Sequence, residues 1–396
     1  QYANGYPTRG LWADDHRLFI QFRYVDLDRS TEVNQIPELE RLQSTLHTTK
    51  DQLWLGGSLG IYQVNPTTLD VLEHIPKLST KGLWSIWRDQ DKNWWGGLYQ
   101  DGIVLKTKRD SILRPYDQYN GFQQLKTSRV LQLLEDGPFL WAITNSGLYL
   151  IHKDRGVLRR YWSEGEAGYR LPFEDIHYLH KDKDGLFWVA SNADGLVHFE
   201  LDQEGKVKQH RKYTTDDNLS SNILYTILED DKERLWISTL NGISCFDKKT
   251  ADIQVFSKED GLTELEFNRI SCFQDKNGRM YFGSIDGVVG FTPDDVKEDG
   301  AYTFPVCITS LSVFDGESER LIERNTNQTD EIILQPDDRF FRLSVSMLDF
   351  FNVGRLRYAY QIEGLYDDFQ QINGNTIEIS GLPFGEYKLR VRGQSS

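Results

Sequence analysis

Residues 222–257 read NILYTILEDDKERLWISTLNGISCFDKKTADIQVFS. Four strand-like runs follow one another here. The first, 222–231, alternates apolar and polar residues before an acidic end. RLWIST (234–239), GISCFDK (242–248) and DIQVFS (252–257) come next, all rich in residues that suit a pleated surface. A polar turn joins the first run to the second, and a glycine opens the third. Outward from this stretch the second run recurs as LWLGGSLG, WWGGLYQDG, LWAITNSG, FWVASNADG and MYFGSIDG, anchored on Trp54, Trp95, Trp141, Trp188 and Tyr281. With Trp236 included, the anchors lie 41, 46, 47, 48 and 45 residues apart. A period of this size, made of four short strands, is the mark of a β-propeller with one blade per repeat. The anchors are expected to pack between blades.

A weaker unit precedes these six, with RGLWADD, RLFIQF and RYVDLD (9–28) as its first three strands. The chain is therefore expected to be all-β, with a seven-bladed propeller over residues 1–300. The last unit shows three strands, ending at GVVGFTPDDV. A fourth strand from elsewhere would complete it, and residues 2–8 are the candidate. Beyond the repeat, PVCITSLSVF (305–314), RFFRLSVSMLDF (339–350), LRYAYQIEG (356–364) and YKLRVRG (387–393) alternate strongly between turn signals. They predict a small β-sandwich of the immunoglobulin or fibronectin type over residues 301–396.

Composition narrows the function. The net charge of −15 argues against a nucleic-acid partner, which needs a basic footprint. No apolar run is long enough to span a membrane. Both ends read as cut, so a fragment of a longer protein is expected. The three cysteines, Cys245, Cys272 and Cys307, have no metal-knuckle spacing, and the first two sit in strand-like runs as small buried hydrophobes. Asp182–Gly185 lacks the spread of ligands that a calcium loop needs and reads as a tight turn. No nucleophile elbow, zinc helix or phosphate loop is present, and His180 and His198 read as structural. No catalytic residue, metal or cofactor is assigned.

A binding face follows from the topology. In a propeller the connections from strand 4 to strand 1 and the turns from strand 2 to strand 3 emerge on one side. The 4-to-1 connections are the long ones here, and long loops on a rigid scaffold commonly carry function. Those at 116–128, 161–174 and 256–269 supply Tyr119, Phe122, Trp162, Tyr169, Arg170, Asn268 and Arg269, with Trp84 and Tyr99 near the same face. Flat rings and hydrogen-bond donors together suit a sugar. The same rings would also serve to staple neighbouring blades. Basic runs at 106–114, 152–160 and 206–212 suit either an anionic groove or the protection of exposed edge strands.

At this level of detail the chain resembles a known family. Its blades are similar to two-component regulator propeller repeats, with a strand ending in E-D, a polar turn, an L-W-I-G-T-like run and a G-L phrase. Residues 265–296, LEFNRISCFQDKNGRMYFGSIDGVVGFTPDDV, resemble that family's terminal blade. The following module resembles the triple-tyrosine (Y_Y_Y) domain through Tyr358, Tyr360, Gly364, Tyr366, Gly385 and Tyr387. Phe369 stands where a Trp is common, and the module's last strand is expected beyond residue 396. The resemblance implies the periplasmic part of a membrane-tethered receptor with a histidine kinase or hybrid regulator inside the cell. It also implies an oligosaccharide ligand, no catalysis by this part, and pairing with a second copy through the Y_Y_Y domain. Some such proteins carry two propellers, in which case the first lies outside this chain. A propeller lyase or glycosidase and a protein-binding scaffold are the alternative readings.

Overall fold

The computed structural model describes residues 11–13, 16–20, 23–27, 33–35, 45–49, 52–116, 123–296, 306–315, 320–324, 333–334, 340–347, 356–366, 368–372 and 374–395. The chain divides into two compact units, Gln1–Val296 and Lys297–Ser396.

The first unit is a propeller of seven antiparallel meanders. Six sheets have four strands each, and the seventh has three among the described residues. The unit that decides the fold becomes Leu224–Glu229, Arg234–Thr239, Gly242–Asp247 and Ile253–Phe256, within the runs expected for it. The weak first unit is a full blade: Leu11–Ala13, Arg17–Ile20, Arg23–Asp26 and Val33–Gln35. The first strand of each blade touches the first strand of the next, and the seventh touches the first. These seven strands wall a central channel. The proposed closing strand, residues 2–8, lies outside the described residues.

The anchors explain why the blades hold together. Each packs into the following blade: Trp54 against Leu83 and Ile86, Trp95 against Val130 and Leu133, Trp141 against Ile176 and Val189. Trp188 continues the series with Ile227, and Trp236 with Phe282. Tyr281 of the last blade packs on Leu11 and Leu18 of the first, which closes the ring with apolar contact. Glycine opens the third strand because strand 4 runs close by. A Cβ on Gly242 would lie 2.3 Å from the Phe256 carbonyl oxygen, and one on Gly195 would lie 2.2 Å from that of Tyr213.

The acidic end of the first strand has a double role. In blades 3, 5 and 6 its last Asp sits six residues before the anchor. Asp89, Asp182 and Asp230 each accept the indole N–H of Trp95, Trp188 and Trp236, at 2.8, 2.8 and 2.9 Å. The other carboxylate oxygen accepts backbone N–H groups of the turn, such as Asp184 and Leu186 onto Asp182. The fourth turn residue is left-handed in each case: Lys92, Gly185, Glu233 and, in blade 7, Gly278. Asp182 thus holds its own turn together. In blade 4 the turn is one residue shorter, Asp136 pairs with Lys181 instead, and the Trp141 indole N–H is buried without a partner.

The residue before that Asp reaches back to the preceding blade. Arg88 lies over the rings of Trp54 and Trp94, Glu135 accepts from the Trp87 indole, Lys181 pairs with Asp136, and Glu229 meets His180 at 3.2 Å. Lys248, with its side chain only 9% exposed, joins Asp182 and Glu229 at 3.1 and 2.7 Å. These clasps form one face of the ring.

The second unit is a sandwich. Its four-stranded sheet runs in the order Arg320–Arg324, Val306–Asp315, Phe340–Met347, Thr376–Ser380. Its three-stranded sheet runs Gln370–Ile372, Leu356–Ile362, Leu389–Ser395. Leu311, Leu343, Val345 and Ile377 of one sheet and Tyr358 and Ile362 of the other share one core. The Tyr358 hydroxyl accepts the Met347 N–H at 2.9 Å, tying the sheets together.

Candidate functional site: the channel mouth

The face opposite the clasps behaves differently. There the first strands of blades 3 to 6 each carry a bulge, so that one residue has no partner on the second strand. The register slips past Trp84 in blade 3, Leu131 in blade 4, His177 in blade 5 and Tyr225 in blade 6. In blade 7 the slip is larger: Phe267 pairs with Ser284 and Cys272 with Phe282, so 268–271 leave the ladder. The described ladders between the first two strands of blades 1 and 2 are unbroken. A bulge re-aims a side chain, and bulges concentrate next to binding sites. Five blades therefore present, at one height, residue types that do not repeat.

Ile270 lies within the blade 7 excursion at φ +55°. A β-branched residue in the left-handed region is a genuine outlier, and such strain clusters at ligand clamps and switches. The first strand of blade 7, which holds this excursion, also touches that of blade 5, which is not its neighbour in the ring. Just below, Cys272 of blade 7 bonds Tyr178 of blade 5 and Thr226 of blade 6. Enclosure on the wall of this narrow channel pushes the Cys272 thiol up to about 11, although the residue is only half-buried by area.

Around the mouth the groups connect. Trp84 and Tyr99 have ring centroids 5.0 Å apart, and the Arg129 guanidinium lies 5.6 Å from the Tyr99 ring. Tyr99 is 40% exposed at the tip of its turn. His177 stacks on Tyr225 at 5.4 Å. Its Nδ1 donates to the Leu224 carbonyl at 2.7 Å, which fixes the neutral tautomer and leaves Nε2 buried without a partner. Burial, helped by the charges of Arg269 and Arg129, lowers the His177 pKa to about 4. Asp175 accepts from the Asn192 amide at 3.0 Å. Burial raises its pKa, and the same two arginines pull it back. A cavity of about 340 Å³ opens beside Asp175, lined also by Ser163, Phe173, Glu174, Asn192 and Asp194.

Of the residues proposed from sequence, the mouth brings together Trp84, Tyr99, Asn268 and Arg269. Trp162, Tyr169 and Arg170 sit in a separate loop cluster: Trp162 bridges to Arg170, Arg160 stacks on Trp162 at 3.2 Å, and Tyr169 packs on Tyr161. Tyr119 and Phe122 lie outside the described residues. Sequence reading missed Arg129, Asp175, His177 and Tyr225. The signal for them was positional, because each stands at the entry of a first strand where the other repeats carry something else. The lysines of the 206–212 run are paired within their own blade, Lys206 with Glu204, Lys208 with Glu200 and Lys212 with Asp194. Among the described residues no group of three or more His, Cys, Asp or Glu is placed to hold a metal ion. No described helix is long and apolar enough to cross a membrane.

Comparison with known proteins gives this geometry a context. Residues 349–396 match the Y_Y_Y domain. The chain is 24% identical over 374 residues to histidine kinase P4 of Formosa agariphila, a match that takes in 89% of this chain and 26% of the kinase. Its fold is similar to the extracellular domain of the hybrid two component system BT3049 from B. thetaiotaomicron, at a TM-score of 0.72 and 20% identity, covering 98% of this chain and 53% of that one. It is also similar to PorZ, a surface component of the type-IX secretion system of Porphyromonas gingivalis, at a TM-score of 0.55 and 14% identity, covering 87% of this chain and 58% of that one. The chain thus spans about a quarter of the curated relative and about half of the first solved structure. Its C-terminal residues match the Y_Y_Y domain, and the whole resembles a two-component histidine kinase in sequence and a two-component extracellular domain in fold.

Proposed function

We propose that this chain is the ligand-sensing, extracytoplasmic part of a two-component receptor, and that it binds a small oligosaccharide at the channel mouth. The observation that carries the reading is the row of bulges on blades 3 to 7. It gathers aromatic faces (Trp84, Tyr99, Tyr225), donors (Arg129, Arg269, Asn192) and an acceptor (Asp175) on a rigid ring. Sugar rings present C–H faces to aromatics and hydroxyls to donors and acceptors. The Y_Y_Y domain passes the change on to a transmembrane kinase outside this chain and pairs with a second copy. Signalling of this kind requires the ligand to favour one arrangement of the receptor over another. This part of the protein performs no chemistry itself.

The test is a thermal-shift screen against defined oligosaccharides, confirmed by calorimetry. A ligand that binds only the folded state raises apparent stability by mass action. We expect a hit that Trp84→Ala and Tyr225→Ala abolish, with no product released from any saccharide. Hits untouched by mouth variants, or product formation, would overturn the reading.

A further inference from the structure

Arg129 and Arg269 stand apart from the other basic residues of the propeller. Both are half-buried at the mouth. Arg129 contributes its backbone N–H to the Asn145 side chain, and its guanidinium rests 5.6 Å from the Tyr99 ring. Arg269 gives its backbone N–H to Asn268. Among the described residues neither guanidinium has a hydrogen bond or an ion pair. Each carries five N–H donors in a planar fork that matches a carboxylate or sulfate. Several other enclosed cations of the unit are answered by a carboxylate: Lys248 by Asp182 and Glu229, Arg234 by Asp230, Lys153 by Glu135.

The two arginines come from blades 4 and 7, three blades apart in the ring. They meet at blade 5, whose first strand is touched by the first strand of blade 7, the strand that carries Arg269 within its 268–271 excursion. Both act on the same two groups of blade 5, Asp175 and His177. His177 is neutral and adds no charge. Asp175 accepts from Asn192. Glu266 is exposed at the rim, where water screens it. The mouth thus holds two unanswered positive forks in a chain whose net charge is −15.

We propose that the mouth takes an anionic group of its ligand, a carboxylate or a sulfate carried on a sugar ring, between the guanidiniums of Arg129 and Arg269. Trp84 and Tyr99 then lie beside the ring that bears it, and Asp175 is left to accept from a neighbouring hydroxyl. This rests on the reading of the mouth as a saccharide site and adds the charge of its ligand.

Matched pairs that differ only in charge test it. Trigalacturonate is compared with its methyl ester, and a 6-sulfated disaccharide with its unsulfated twin, by calorimetry on the whole chain at two salt concentrations. In parallel, phenylglyoxal labelling of Arg129 and Arg269 is read by peptide mass. We expect one charged member to bind at least tenfold more tightly than its twin, with a preference that weakens as salt rises. That member should slow labelling of both arginines, while its twin does not. The pair that responds tells carboxylate from sulfate. Arg129→Ala and Arg269→Ala should each cost tenfold or more, and the lysine variants less, at unchanged melting temperature. If a variant fails to fold, the labelling of the unaltered chain decides. Equal binding of the twins, with labelling unaffected, would overturn the anionic site and leave saccharide sensing standing. No binding by any member, charged or neutral, would overturn both.

Discussion

The two faces of the propeller are built from the same repeat and use it in opposite ways. On the clasp face one bond recurs in blades 3, 5 and 6, where an Asp takes the indole of its own anchor, and in blades 3 to 6 the residue before that position reaches back to the blade behind. On the mouth face the same backbone irregularity recurs in blades 3 to 6, but the residue it displays changes from Trp84 to Leu131 to His177 to Tyr225. Repetition of a side chain marks what holds the ring together. Repetition of a backbone device with varied side chains marks what the ring presents.

The comparison breaks most visibly at Asp230. Its carboxylate serves the Trp236 indole, the Arg234 guanidinium and the Arg234 N–H, all buried, and the Lys232 N–H of the turn. Asp230→Ala takes a charged acceptor away from a buried guanidinium and from an indole N–H, and should cost about 3–5 kcal/mol. Urea unfolding followed by fluorescence measures it cleanly, since all ten tryptophans lie between residues 12 and 236 and none is in the sandwich. A loss below about 1 kcal/mol would mean that the clasp is ornamental.

The mouth should show itself through pH. The His177 pKa falls from its ordinary 6.5 to about 4 on folding. A depressed value means that the unfolded chain binds the proton first. The stability is therefore complete above pH 6.5 and is lost as pH falls toward 4. The shift corresponds to about 3 kcal/mol over that window. Unfolding of the unaltered chain and of His177→Gln at pH 7, 6, 5 and 4 should give curves that converge toward acid. Parallel curves would show that the ring is not held neutral.

Within the clasp face, blade 4 offers an internal control. Trp141 has no acceptor for its indole and Trp236 has one, so Trp236→Phe should cost about 1–2 kcal/mol more than Trp141→Phe. Equal losses would show that the Asp bond adds nothing to the packing. The smallest effect is expected at Ile270. Glycine there relieves the left-handed strain while removing a half-buried side chain, so Ile270→Gly should leave stability within about 1 kcal/mol. Ligand binding should weaken several-fold as the excursion loses its fixed shape. A large loss of stability would make the excursion structural.

The sequence carried the ring clearly because a propeller's core is one aromatic per blade and one glycine per third strand, repeated at a period the eye can count. The first blade was legible despite lacking a Trp at the anchor, because Phe19 fills that place against Leu53 and Leu55. The Asp-to-Trp bond was present in the text as a six-residue spacing, but only coordinates show that an acid at a strand end is a buried acceptor. The mouth was half legible. Trp84, Tyr99 and Arg269 stood out as residue types, whereas Arg129 and His177 matter because bulges and an excursion place them, and a register slip leaves no compositional trace. Long loops drew attention to Trp162, Tyr169 and Arg170, which chiefly pack on one another and on Tyr161. The connections after blades 5 and 6 begin with the same capped turn, Thr214 with Asp217 and Ser257 with Asp260, so part of their length is structural repeat too.

The central claim is that ligand binds the varied face and not the repeated one. Hydrogen–deuterium exchange, with and without the tightest-binding saccharide, tests it most directly. The account predicts slower exchange at 82–85, 97–101, 129–132, 175–178, 192–195, 223–226 and 266–272, with the turns at 89–93, 182–186 and 230–234 unchanged. Protection confined to those turns, or to the sandwich, would contradict it.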